Sequence, residues 1–167
     1  MTVVGNKLFF TADDGMHGRE LWVSDSSGTR MVYDPSPGDG DAGYLVAAGT
    51  SGVYYRYNDG VNGWELWYSD GTQAGTRLVK NLRPNTEGDQ NGVAEVFGYV
   101  NGKVYFKSGN DSTGWEIGVS DGTTAGTELV PMGIFTNPGD YDEGPATLID
   151  GKMITTFWVD GKGENRI

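Results

Sequence analysis

The chain has no cysteine, which rules out a disulfide framework, a thiolate metal site and a thiol nucleophile. Histidine is nearly as scarce, with His17 alone, so imidazole-based metal sites and most acid–base dyads have little to draw on. No H-E-x-x-H helix accompanies it. No apolar run approaches the length of a membrane span, so membrane insertion is not expected. The opening MTVVGNK lacks the basic start and apolar stretch of a signal peptide, and export would depend on a signal outside this chain. Basic residues are few: 12 Lys and Arg face 23 Asp and Glu, giving a net charge of −11 and a pI near 4.3. Such a surface repels nucleic acid and anionic lipid and attracts cations.

Against these absences stand 28 glycines and an aromatic content of 12%. The aromatics come in short runs flanked by Gly, Asn and Asp, the pattern of many short strands joined by tight turns. No window sustains helical periodicity. One phrase recurs: GRELWVSDSSGTRMVYD at 18 to 34, GWELWYSDGTQAGTRLVKNL at 63 to 82, and GWEIGVSDGTTAGTELV at 114 to 130. The apolar runs that precede it start at Leu8, Val53 and Val104, and a fourth run starts at Met153, giving steps of 45, 51 and 49 residues. That period is the length of one four-stranded β-propeller blade.

Each unit divides into strands A to D. In the third, A is FGYV at 97 to 100, B is VYFKS at 104 to 108, C is WEIGVSD at 115 to 121, and D begins at TELV. The NGK and DGTTAG segments supply the A–B and C–D turns. In LFFTA, VYYRY and VYFKS apolar groups occupy adjacent positions, so both faces of strand B are covered, as in stacked blades. The expected fold class is therefore all-β, a β-propeller-type repeat of four-stranded antiparallel blades. About three and a half blades form a single repeat domain, in units near 1–43, 44–92, 93–143 and an incomplete 144–167. Most closed propellers have more blades, so the chain is expected to be part of a longer array or a homo-oligomeric subunit whose copies complete the ring.

The recurring ELWVSD, ELWYSDGTQAGT and EIGVSDGTTAGT resemble the ELWxxDGT repeat of large bacterial proteins, many of them exported. The resemblance spans nearly the whole chain. The first unit departs from it in its SS turn, the third has Gly118 in place of Trp, and the fourth has ENRI in place of ELW. It implies a propeller-like repeat scaffold and an extracellular location, secreted or at the cell surface, and it supplies no catalytic residues.

Connectivity places the B–C loops and the D–A connections on one side. There the acids gather: Asp13, Asp14, Asp59, Asp111 and Asp160 in the former, Asp34, Asp39, Asp41, Glu87, Asp89, Asp140, Asp142 and Glu143 in the latter. Calcium takes six to eight oxygens from such flexible loops, and DGDAG and GDYDEG make Asp39, Asp41, Asp140, Asp142 and Glu143 the candidate ligands. The opposing view is that Asp, Asn and Gly occupy these loops because they make turns. At the start of strand C, Arg19 and Glu20, Trp64 and Glu65, and Trp115 and Glu116 repeat a carboxylate beside a large side chain, with Lys162 and Glu164 in the fourth unit. These residues could bind a glycan between blades. Alternatively each Glu accepts hydrogen bonds from the adjoining blade and locks the stack. Ser24, Ser69 and Ser120, followed by Asp25, Asp70 and Asp121, repeat in step with the glutamates and favour the structural role. The function expected is a non-catalytic extracellular binding or adhesion scaffold with a glycan or protein ligand. The alternative is a lectin-like propeller or a glycan-active hydrolase working through rim carboxylates.

Overall fold

The computed structural model describes residues 1–35, 40–84, 92–110, 114–130, 147–149, 152–154, 157–159 and 164–166. Every regular element among them is a strand. The first meander comprises β1 (Thr2–Val4), β2 (Lys7–Asp13), β3 (Gly18–Asp25) and β4 (Gly28–Met31), and the second β5 (Gly40–Ala47), β6 (Val53–Asn58), β7 (Trp64–Ser69) and β8 (Arg77–Lys80). The third comprises β9 (Val93–Val100), β10 (Lys103–Asn110), β11 (Gly114–Ser120) and β12 (Thr127–Val130). Two hairpins follow, β13 (Thr147–Ile149) with β14 (Lys152–Ile154), and β15 (Phe157–Val159) with β16 (Glu164–Arg166).

Within each meander, neighbours in sequence pair antiparallel, in the expected A-B-C-D order. The first residues of the three apolar runs, Leu8, Val53 and Val104, pair with Ser24, Ser69 and Ser120. The sequence period and the strand register thus coincide. At the third A–B turn, Asn101 and Gly102 both have positive φ, 50° and 81°. Asn-Gly tolerates this pair of left-handed residues and matches the twist of the flanking strands.

The sheets stack face to face. Val53, Tyr55, Tyr57 and Trp67 of the second meander form one core with Val4, Phe9, Leu21, Val23 and Val32 of the first. Tyr54, Leu66 and Val79 form another with Val93, Val96, Val104 and Phe106 of the third. Adjacent residues of β6 point to opposite sides because the strand period is two. This explains the unbroken run VYYRY: Tyr54 serves one core while Tyr55 and Tyr57 serve the other. Burying each such aromatic stabilises the stack by about 1.5–3 kcal/mol.

The structure differs from a row of separate four-stranded sheets in one respect. The first two meanders join into a single eight-stranded sheet through a short parallel contact between β3 and β5, at Gly18 with Gly40 and Arg19 with Asp41. The sheets are open. The cause of the join is steric: Gly18 has φ +76°, and a Cβ on it would fall 2.6 Å from the Gly40 carbonyl oxygen. Only glycine allows the two backbones to approach so closely. The third meander remains a separate four-stranded sheet, although the Gly92 N–H donates to the Trp64 carbonyl at 2.9 Å, a single backbone bond near the entry to β9.

Candidate functional site: the inter-sheet junctions and their loops

The C–D turns are built alike. Asp70 Oδ1 accepts the N–H of Thr72 at 2.8 Å and its hydroxyl at 2.7 Å. Asp121 Oδ1 does the same with Thr123, at 2.9 and 2.7 Å. Ser69 Oγ contacts Thr76 Oγ1 at 2.8 Å, and Ser120 Oγ contacts Thr127 Oγ1 at 2.7 Å. Both serine oxygens also accept the N–H of the turn glycine, Gly71 or Gly122. In the shorter first turn Asp25 accepts from Ser27 N–H and pairs with the Arg30 guanidinium at 2.9 Å. These bonds hold the carboxyls of Asp70 and Asp121 below their ordinary values, chiefly through the threonine hydroxyls. The repeated Ser, Asp and Thr therefore serve local turn geometry.

The repeated glutamates occupy the sheet junctions. Glu20 and Glu65 are buried, with relative exposures of 1% and 0%. The Tyr57 hydroxyl, from the second meander, donates to Glu20 Oε1 at 2.8 Å. Glu65 Oε1 accepts the N–H of Leu82, on the segment following β8, at 3.0 Å. Gly40 and Gly92 lie directly over these carboxyls, where a Cβ would overlap the Glu20 or Glu65 side chain. Burial is the main influence on both acids, pushing Glu20 up to about 7 and Glu65 up to about 8. The Tyr57 bond opposes the shift at Glu20, and the N–H groups of Leu82 and Arg83 oppose it at Glu65.

The two junctions differ in one partner. Tyr57 pairs in register with Glu65, and Ser108 pairs in register with Glu116, so Ser108 takes the place of Tyr57 in the third meander. Its short side chain donates instead to the Gly92 carbonyl at 2.5 Å. Glu65 Oε2 is left with no hydrogen-bond partner among the described residues. Glu116 is half-buried on β11, and the Trp115 side chain lies outside the described part.

The acidic loops are partly engaged in turns. Asp14 accepts the N–H groups of Met16 and His17, and its Oδ2 lies 2.7 Å from His17 Nδ1. This contact lowers the Asp14 carboxyl and raises the His17 imidazole. Asp59 is built the same way, accepting Val61 N–H, Asn62 N–H and the Asn62 amide. Asp13 accepts the Gly15 N–H. Asp34 acts electrostatically on both Glu20 and His17, so the first junction gathers several acids. Of the five expected calcium ligands, Asp41 is described, half-buried, with Arg19 Nε 3.9 Å from its Oδ1. Asp39, Asp140, Asp142 and Glu143 lie outside the described residues, as do Glu87, Asp89, Asp111, Asp160 and Lys162. Among the described residues, no three His, Asp or Glu side chains are grouped so as to hold an ion.

Trp64 is placed differently from a free stacking platform. The Arg56 guanidinium carbon sits 3.7 Å from its ring centroid and 5.2 Å from that of Tyr44. Arg56 Nη1 donates to the Ala94 carbonyl at 2.6 Å, tying this cluster to the third sheet. Burial lowers the Arg56 pKa, and nearby Tyr44, Asp41 and Glu95 oppose that shift. Tyr44 is 48% exposed and has φ +53°. Sequence reasoning missed Tyr44, Arg56, Tyr57, Gly40 and Gly92. A glycine at the start of the A strand, Gly40 opening β5 and Gly92 just ahead of β9, was the available signal for the last two.

No protein-family model matches the chain, and comparisons with curated proteins and with solved structures likewise give no match.

Proposed function

We propose that the chain is a non-catalytic extracellular binding scaffold of propeller type, whose meanders act as blades of an ELWxxDGT-like repeat. The observation that carries this reading is the use of the repeated polar residues. Ser69, Asp70, Thr72 and Thr76, and Ser120, Asp121, Thr123 and Thr127, bond to one another, while Glu20 and Glu65 bond across or beside the junctions. Catalysis needs groups of contrasting environment poised at an open surface, whereas Glu20 and Glu65 are buried and the turn residues of the second and third units repeat one another's bonds. Binding then falls to the loops, which differ between units. His17 and Asp14 form the one His–carboxylate contact among the described residues, and no hydroxyl nucleophile is bonded to that imidazole.

The acidic loop side is proposed to take calcium through Asp39, Asp41, Asp140, Asp142 and Glu143. Titration calorimetry with a parallel thermal melt tests this: heat and a raised Tm at millimolar calcium are expected, and a flat titration with an unchanged Tm removes the ion. A lectin reading draws on the exposed Tyr44 ring beside Arg56 and Trp64. Binding on a glycan array that Tyr44→Ala abolishes would support it. Polysaccharide cleavage lost on replacing one rim acid would instead support a hydrolase.

A further inference from the structure

Glu65 occupies the junction between the second and third meanders in a setting that suits a neutral acid. It is fully buried, its Oε1 accepts the Leu82 N–H at 3.0 Å, and its Oε2 has no hydrogen-bond partner among the described residues. One oxygen is thus served as a carbonyl, and the other is left to carry the proton. Ionisation would place charge on a buried oxygen that no described donor faces, which is costly. The junction itself encloses the group. Gly92, just ahead of β9, lies so close over the carboxyl that a Cβ there would fall 2.4 Å from both oxygens.

The neighbouring hydroxyls are spent elsewhere. Tyr57, the register partner of Glu65 on β6, turns its hydroxyl to Glu20, and Ser108 on β10 turns its own to the Gly92 carbonyl. Burial is the largest influence on the acid and raises its pKa; of the charged groups acting on it, Arg83 favours ionisation and Asp59 opposes it.

The two junctions differ in what else holds them. The first and second meanders share one sheet through the β3–β5 pairing, and Tyr57 reaches across to Glu20. The third meander is a separate sheet, tied to the second at this point by the Gly92 N–H on the carbonyl of Trp64, the residue before Glu65. Arg56, Lys80 and Thr124 add side-chain bonds to carbonyls across the same junction and keep the closed form dominant.

We propose that this second junction is a proton-controlled latch: it closes with Glu65 protonated, and release of that proton to water raises the population in which the third meander parts from the first two with its own strand pairing kept. The proton sets the size of a minor open population rather than the presence of the fold. In the open form Glu65 meets water and ionises at its ordinary value, so that population grows as pH rises from 4.5 and levels off above about 8.

Hydrogen exchange read residue by residue by NMR from pH 5 to pH 9, corrected for the intrinsic pH dependence of exchange, tests the latch. The Gly92 amide, whose acceptor lies across the junction, should exchange up to about tenfold faster per pH unit below pH 8. Amides in the middle of β6 and β10, paired within their own meanders, should lag behind it. Glu65→Gln should make the Gly92 rate insensitive to pH, with a wild-type circular dichroism spectrum showing that the fold is kept. A Gly92 rate that stays level with pH in the wild-type chain overturns the proposal, as does an unchanged pH dependence in a folded Glu65→Gln chain. So do Gly92 and mid-strand amides that accelerate together, since that is unfolding of the whole chain. Should Glu65→Gln misfold, the wild-type comparison of Gly92 with the mid-strand amides decides alone.

Discussion

Glu65 is the residue whose chemistry is most constrained by its surroundings. It ionises near its ordinary value of 4.5 when unfolded and at about 8 when folded. Between those values the folded chain keeps a proton that the unfolded chain has released, so stability falls as pH rises through this window and is unaffected by this group below it. Glu20 behaves alike over a narrower window that ends at about 7. The wild-type chain is therefore expected to lose stability, on the order of a few kcal/mol, between pH 5 and pH 9. Glu65→Gln, which cannot ionise, should flatten that slope, as urea unfolding at several pH values would show. Tyr57→Phe tests the other junction: it removes the hydroxyl that donates to Glu20 and should cost about 1–3 kcal/mol by leaving a buried oxygen without its donor.

At the scale of the strand, Gly118 shows how one unit departs from its siblings without losing its shape. Trp22 and Trp67 stand at this position in the first two units, paired with Phe10 and Tyr55. In the third unit Phe106 lies over Gly118, and a Cβ there would enter the phenyl ring. The ring thus fills the space above the glycine that an indole would need. Gly118→Ala should destabilise by about 1–3 kcal/mol through overpacking, measured by chemical denaturation. Combining it with Phe106→Leu should recover part of the loss.

The strands themselves were legible because period, turn residues and aromatic runs agreed. Strand C was expected at 115–121 and is observed as Gly114–Ser120, and strand B, expected at 104–108, spans Lys103–Asn110. Strand A was read too short. It begins at Val93, since the register shifts opposite Tyr105 and Lys107 break the simple alternation that pattern reading relies on. The parallel contact of β3 with β5 was not legible either. It rests on two glycines far apart in sequence, and glycine is so common here that no single one stands out.

For the whole molecule, the second meander is the keystone because both its faces are covered. Tyr54→Ala and Tyr55→Ala should each cost about 3–5 kcal/mol, although the two residues are adjacent, because each empties a different core. Phe10→Ala should cost clearly less, because Phe10 is only half-buried. Thermal melts of the three variants at low concentration would separate these cases. Equal losses at all three positions would mean that the first sheet is as fully packed as the second. The glutamates were legible as recurring residues, and their repetition in step with Ser and Asp already favoured a structural role, but their particular partners, the Tyr57 hydroxyl and the Leu82 N–H, are set by strand packing that the sequence pattern does not specify.

The polar contacts that stitch one sheet to the next end largely on main-chain oxygens: Lys7 on Asp70, Lys80 on Thr127, Arg56 on Ala94, Thr124 on Val79. Every residue type offers such an oxygen. Substitutions on the accepting side that keep the backbone path therefore leave these four bonds intact, so side-chain identity there can drift while the stitching persists.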